Sequence, residues 1–359
     1  MATSGNLPGI AFVDCYISAG ASAAAGGGSG GQPHAHGRRE VVVNGKRVKT
    51  VDVHAHCIVP DAAKVINHPL EAPGLLWSNV GDRLAQMDKT GVDVEALSIN
   101  PYWYRAERDA AAELIRIQNE QLTAFCASQP DRFVGFATAA LQHPDLAAEQ
   151  VEHAVKRLGF RGVGVAGSVA GEDVANPKFH PFWAKCEELG VLVFMHPLGT
   201  RELEPSGRLS GNGLLTNTIG NPLETTIALS HLIFEGTLDR FPGLKICAAH
   251  GGGFLPSYAN RSDAVITTFP NRVGPLPKKK PTEYIRGGQL YFDSIMFTGE
   301  GMRHLIAEAG IDHVVLGTDY PFPWNTVPVD HIMSIPGLSD EDRIKILGGT
   351  ACRLLGIEA

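Results

Sequence analysis

The sequence predicts an α/β protein built as a (β/α)8, TIM-type barrel, with a small N-terminal extension and a β-hairpin in front of it. Three observations carry this reading. About eight short apolar runs alternate with longer amphipathic ones from residue 51 onward. Most of the short runs are too apolar for a half-exposed sheet, as expected of parallel strands covered on both faces. Polar residues with ligand or proton-handling chemistry end several of these runs, which is where such barrels place function. No G-x-G-x-x-G follows the first run, and this disfavours the competing doubly wound open sheet.

Residues 1–40 read as an extension. The stretch Ser18 to Gly31 (SAGASAAAGGGSGG) is of low complexity and cannot supply a packed core. The barrel domain is expected over residues 41–359. It opens with a hairpin, Val41–Val43 and Lys46–Val48, joined by Asn44-Gly45, a dipeptide suited to the positive φ angles of a type I′ turn. The strand candidates are 51–55, 93–99, 133–138, 161–165, 190–195, 244–249, 290–294 and 312–318. Helices are expected over 107–128, 144–158, 222–240 and 300–309, among others. Glycines such as Gly91, Gly159, Gly190 and Gly310 stand where a helix must end before the next strand.

Composition narrows the function. The formal net charge is -7, so a general phosphate-binding surface is not expected, and no nucleic-acid partner is implied. The one basic cluster, Lys278-Lys279-Lys280, lies between Pro277 and Pro281 and reads as a solvated loop. Six cysteines are scattered without a C-x-x-C pair, which reads as reduced thiol usage rather than a disulfide framework. No apolar stretch is long enough to span a bilayer, and no charged n-region precedes an apolar run at the N-terminus. A soluble cytoplasmic protein with no membrane partner is the expectation.

The first strand ends in His54-Ala55-His56, and residues two apart on a strand point to one face. Two imidazoles so placed can share one metal ion. His34-Ala35-His36 has the same pattern but follows no strand, so it is incidental. The fifth strand ends in Phe194-Met195-His196-Pro197, the sixth in His250 before three glycines, and the eighth in Gly317-Thr318-Asp319. Each feature alone suits a buried histidine or a capped turn. Their coincidence at the ends of strands one, five, six and eight points to a metal site.

The segments VDVHAH (51–56), FMHP (194–197), NPLETTIALSHLIFEGTLDRFPGLKICAAHGGG (221–253) and LGTDYPF (316–322) resemble the amidohydrolase superfamily. Within it they are most similar to the branch containing α-amino-β-carboxymuconate-ε-semialdehyde decarboxylase. The likeness spans roughly residues 50 to 357. It implies one divalent ion, usually Zn2+ and sometimes Mn2+, held by His54, His56, His196 and Asp319. It implies His250 as the acid/base residue, with Asp319 able to exchange protons beside it. Binuclear relatives use a carboxylated Lys on the fourth strand; here that strand reads RGVGVAG, which independently favours a single ion.

The resemblance further implies a nonoxidative decarboxylase of a planar carboxylic acid, aromatic and hydroxylated or heteroatom-substituted. The same ligands would serve a hydrolase of a lactone or amide, or a hydratase of a ring-cleavage product. A third alternative is an inactive scaffold subunit of the same fold. Arg261 matches an arginine that binds substrate carboxylate across a dimer interface, so a homodimer or higher homo-oligomer is expected. A second family arginine has no clear counterpart in residues 67–83, where Arg83 reads as a helix residue. This departure disfavours the muconate semialdehyde itself as substrate. Trp77, Trp103, Tyr104, Phe297 and Trp324 follow strand ends and are candidates to flank a planar acid.

Overall fold

The computed structural model describes residues 37–69, 80–200, 206–324 and 326–359. Eight parallel strands form one sheet in sequential order: β1 (Val51–His56), β2 (Val94–Ser98), β3 (Phe133–Ala137), β4 (Gly162–Val165), β5 (Leu192–Met195), β6 (Lys245–Ala248), β7 (Leu290–Asp293) and β8 (Val314–Val315). Each coincides with one of the eight apolar runs. The sheet curls until β1 meets the segment after β8. There Val53 N–H donates to Leu316 O at 2.9 Å, His56 N–H to Tyr320 O at 2.7 Å, and Asp319 N–H to His54 O at 2.8 Å. The fold is thus the expected (β/α)8 barrel.

Helices follow the strands and cover the sheet: α1 (Val80–Thr90), α2 (Arg108–Ser128), α3 (Pro144–Leu158), α4 (His180–Leu189), α5 (Asn221–Phe234), α6 (Leu255–Thr268), α7 (Gly299–Ala309) and α8 (Thr350–Leu355). α3 and α4 end on Gly159 and Gly190 in the left-handed conformation, the C-caps expected from sequence. The helix expected over 222–240 is instead two, because Gly236 at φ +75° separates α5 from a short turn of helix, Thr237–Arg240.

Two buried clusters divide the apolar side chains. One joins the outer face of the sheet to the helices and includes Ala55, Cys57, Met195 and Leu229. The other lines the barrel interior and includes Val51, Val53, Phe136, Phe194 and Val315, with Ala351 to Leu355 of α8 packed against it. Val53 faces inward while Ala55, two residues on, faces outward, so the strict alternation of the strand breaks between them. His54 packs its ring on interior Phe194, 5.0 Å between centroids. A bulge between Asp52 and Ala55 explains this, since three steps on β1 match two on β2. The extra residue re-aims the strand, as bulges beside sites commonly do. The His54 N–H left out of the ladder is accepted by the Asp52 carboxylate at 2.9 Å.

The hairpin is present as Val42–Val43 paired with Lys46–Arg47, and Asn44 and Gly45 both have positive φ. Arg38 pairs with Asp93 and Arg39 with Asp330, so these two arginines contact the barrel. Residues 1–36, including His34 and His36, lie outside the described residues. The five described cysteines are free thiols. Among the described residues no helix is long and apolar enough to cross a membrane.

Candidate metal centre

His54 and His56 come from β1, His196 from the residue after β5, and Asp319 from the turn after β8. One ligand atom from each of the four lies within 4.8 Å of the others, and all four residues are buried. His54 Nε2 stands 2.9 Å from His56 Nε2, and Asp319 Oδ1 stands 3.1 Å and 2.9 Å from these two nitrogens. The His196 ring lies 4.6 Å from His56 and 4.9 Å from His54, centroid to centroid. Asp319 adopts φ +62°, a costly conformation for a side-chain-bearing residue and one that clusters at functional sites.

Two observations test whether these residues fit a divalent ion. Both ring nitrogens of His196 are buried without a hydrogen-bond partner, a cost that a bound ion would remove. Imidazole and carboxylate donors are also the ligand types of catalytic zinc sites. Charge points the same way: with the imidazoles neutral, as metal ligands must be, the set together with the carboxylates of Asp319 and Asp293 would carry -2, which a divalent cation balances. Burial alone would lower the His54 pKa, but the Asp319 and Asp293 carboxylates overcome it and raise it to about 10. Burial and the neighbouring His54 charge depress His56 to about 4. Burial and the surrounding histidines hold His196 well below its ordinary value. The residues fit.

His250 follows β6 at the edge of this cluster, again at positive φ, +55°. Its Nε2 lies 3.7 Å from Asp319 Oδ2, beyond hydrogen-bond range, and its Nδ1 is buried without a partner. The three glycines after it are required by space as well as by positive φ. A Cβ on Gly252 would sit 2.5 Å from the Phe292 ring, and one on Gly253 would sit 2.2 Å from Pro222 O. The HGGG and NPLET segments are therefore packed backbone to backbone. Glu224 of NPLET accepts from Leu198 N–H at 2.6 Å and from Ser168 Oγ at 3.0 Å, tying α5 to the loops after β4 and β5.

Sequence reasoning missed two residues here. Asp293, the last residue of β7, is fully buried and accepts from His54 Nδ1 at 2.6 Å. Arg83 of α1 is more than a helix residue. It is fully buried, pairs with Glu95, donates to His56 O at 3.0 Å and lies 4.6 Å over the Tyr320 ring.

The aromatic candidates divide. Trp103 is fully buried and donates its indole N–H to Ala139 O at 2.9 Å, so it packs in the core. Tyr104 is also buried, and its hydroxyl accepts from Ala166 N–H at 3.4 Å. Trp324 and Phe297 are exposed. Trp324 stacks on Phe322 at 6.1 Å, and Phe322 meets the His56 ring edge to face at 6.2 Å, so a file of rings leads from the surface to a ligand. Trp77 lies outside the described residues. Arg261 is exposed on α6 and lines a surface cavity of about 430 Å3 with Phe234, Ser262, Val265, Arg272 and Val273. No residue of the metal cluster lines that cavity. Asp263, two residues on, accepts from the Thr282 N–H and hydroxyl rather than pairing with Arg261.

A closed (β/α)8 barrel with three histidines and an aspartate converging at the ends of β1, β5 and β8 is, by architecture, a metal-site barrel enzyme. The family model described as Amidohydrolase matches residues 51–357, and the chain belongs to that family. It is 31% identical over 279 residues to 2-amino-3-carboxymuconate-6-semialdehyde decarboxylase of Dictyostelium discoideum, covering 77% of this chain and 76% of that one. The structure is similar to that of 5-carboxyvanillate decarboxylase from Sphingomonas paucimobilis, with TM-score 0.78 and 25% identity, covering 87% of this chain and 100% of that one. It is also similar to a dihydroxybenzoic acid decarboxylase from Polaromonas with bound manganese and the inhibitor 2-nitroresorcinol. There the TM-score is 0.72 with 27% identity, covering 86% of this chain and 97% of that one.

Proposed function

We propose that this chain is a metal-dependent nonoxidative decarboxylase of a planar aromatic carboxylic acid, hydroxylated or heteroatom-substituted. The observation that carries the proposal is the buried cluster of His54, His56, His196 and Asp319, with both nitrogens of His196 lacking a partner. When bound, the divalent ion supplies Lewis-acid chemistry that orients the acid and stabilises negative charge on its oxygens. The ligand types suit Zn2+. The manganese in the Polaromonas relative makes Mn2+ the second ion to load.

The chain's own residues handle the proton. Asp319, or His250 through a water, relays a proton taken up from solvent to the ring carbon that bears the carboxylate. The carbon–carbon bond then breaks, its electron pair returns to the ring, and carbon dioxide leaves. Trp324 and Phe297 stand on the loops after β8 and β7 as rings to flank a planar acid. Arg261, exposed and without a carboxylate partner among the described residues, binds the substrate carboxylate of a second subunit in this reading, which makes a homodimer the working unit.

The relatives described above are carboxy-lyases by name, which favours decarboxylation over the hydrolytic alternative. Product mass distinguishes them. Metal-loaded chain incubated with a panel of hydroxybenzoates and related acids is expected to give a product lighter by one carbon dioxide. A product heavier by one water would overturn the proposal.

A further inference from the structure

Asp293 is fully buried and its two oxygens accept four hydrogen bonds. Oδ2 accepts from His54 Nδ1 at 2.6 Å and from the His250 backbone N–H at 2.9 Å. Oδ1 accepts from Gly251 N–H at 2.8 Å and Ile295 N–H at 3.1 Å. A carboxylate offers about four lone-pair sites, so this one is saturated and has none left to bind a metal. Space is reserved for it as well: a Cβ on Gly317 would lie 2.8 Å from Asp293 Cβ and 3.1 Å from His54 Cβ.

We propose that Asp293 is a positioning residue that sets two functional groups at once, locking His54 as an Nε2 ligand and fixing the backbone of His250. The first half follows from proton placement. With the proton on Nδ1 directed at Asp293, the lone pair of His54 lies on Nε2, which is the nitrogen in the cluster. The second half follows from strain. His250 and Gly251 both have positive φ, and their amides are held by the same carboxylate. An amide at residue 293 cannot replace it. Asparagine has one oxygen, so its NH2 group must face either the Gly251 and Ile295 donors or His54 and the His250 N–H. In the second orientation the His54 proton is driven to Nε2, away from a ligand's tautomer.

This inference rests on the metal-site reading but needs no substrate, so its failure and that of the decarboxylase proposal are separable. The test is Asp293→Asn in the full chain, loaded with Zn2+ or Mn2+. Competition with a chromogenic chelator is expected to show metal affinity weakened about 10- to 100-fold, the range for a partner of a ligating histidine. At saturating metal, amide exchange is expected to accelerate at His250 and Gly251 and to stay unchanged in the other strand ends. A merely structural role would raise exchange throughout and leave the metal constant unmoved. A metal constant within about twofold of wild type would overturn the proposal. If the variant does not fold, 15N-histidine NMR of the metal-loaded wild type decides. His54 is expected to be protonated on Nδ1, and a proton on Nε2 would overturn the proposal.

Discussion

The amide of Asp319 donates to the carbonyl of His54 at 2.8 Å, so the bond that closes the barrel joins two residues of the metal cluster. Seam and site are one structure. Asp52 reinforces it from below, its carboxylate accepting from the Thr318 N–H at 3.1 Å, the Thr318 hydroxyl and the His54 N–H. Metal occupancy should therefore act on the whole barrel. Removal of the ion by a chelator is expected to lower the melting temperature, and stoichiometric re-addition to restore it. At a free metal concentration of 100 times Kd the stabilisation is about 2.7 kcal/mol. Differential scanning calorimetry across a metal titration reads it directly, and a melting temperature indifferent to metal would contradict the coupling.

The Arg83–Glu95 pair is the second buried device near the site, with both side chains shielded from water. Breaking such a pair leaves an uncompensated charge and costs about 3–5 kcal/mol. Arg83→Met is expected to destabilise by that order in urea unfolding, and it also removes the donor to His56 O. Glu95→Gln in the same chain is expected to recover a large part of the loss. Equal losses in the single and double variants would show that the pair carries none of it.

Asp93 stitches the hairpin to the barrel. Its carboxylate meets Arg38 and Arg47 and accepts the Thr50 N–H at 2.9 Å. Burial alone would raise its pKa, but Arg47, Thr50 and Arg38 overcome this and hold it below the ordinary carboxylate value. The folded state therefore favours the charged form more than the unfolded chain does. The stabilisation is complete above the unfolded pKa of about 3.9 and is lost as pH falls through the lower folded value. Asp93→Asn is expected to cost about 2 kcal/mol at pH 7, the order of a hydrogen-bonded charge, with the gap closing as pH falls through the lowered folded value. Unfolding curves for both proteins across that range check the slope, and a constant gap would refute the linkage.

Much of this site was legible in the sequence, for a physical reason. His54, His56, His196 and Asp319 end apolar runs, and barrels of parallel strands carry their functional side chains at the C-terminal strand ends. Asp293 was not legible. It stands between Phe292 and Ser294 within an apolar strand, and its partner His54 is 239 positions away. The bulge in β1 was equally hidden, since it shows only in the register against β2. Arg83 read only as a helix residue because its partner Glu95 lies on the neighbouring strand. The burial of Trp103 was not legible either. This tryptophan follows a strand end as a pocket residue would, but its indole found a backbone acceptor in the core.

If the four-residue cluster runs a decarboxylation, carbon dioxide release must depend on the ion it holds. The most direct measurement is carbon dioxide release from the hydroxybenzoate panel as a function of bound Zn2+ or Mn2+ per chain. Release is expected for at least one acid, rising in proportion to occupancy and abolished in His196→Ala. Fully occupied chain that leaves every acid intact, or release that ignores occupancy, would contradict it.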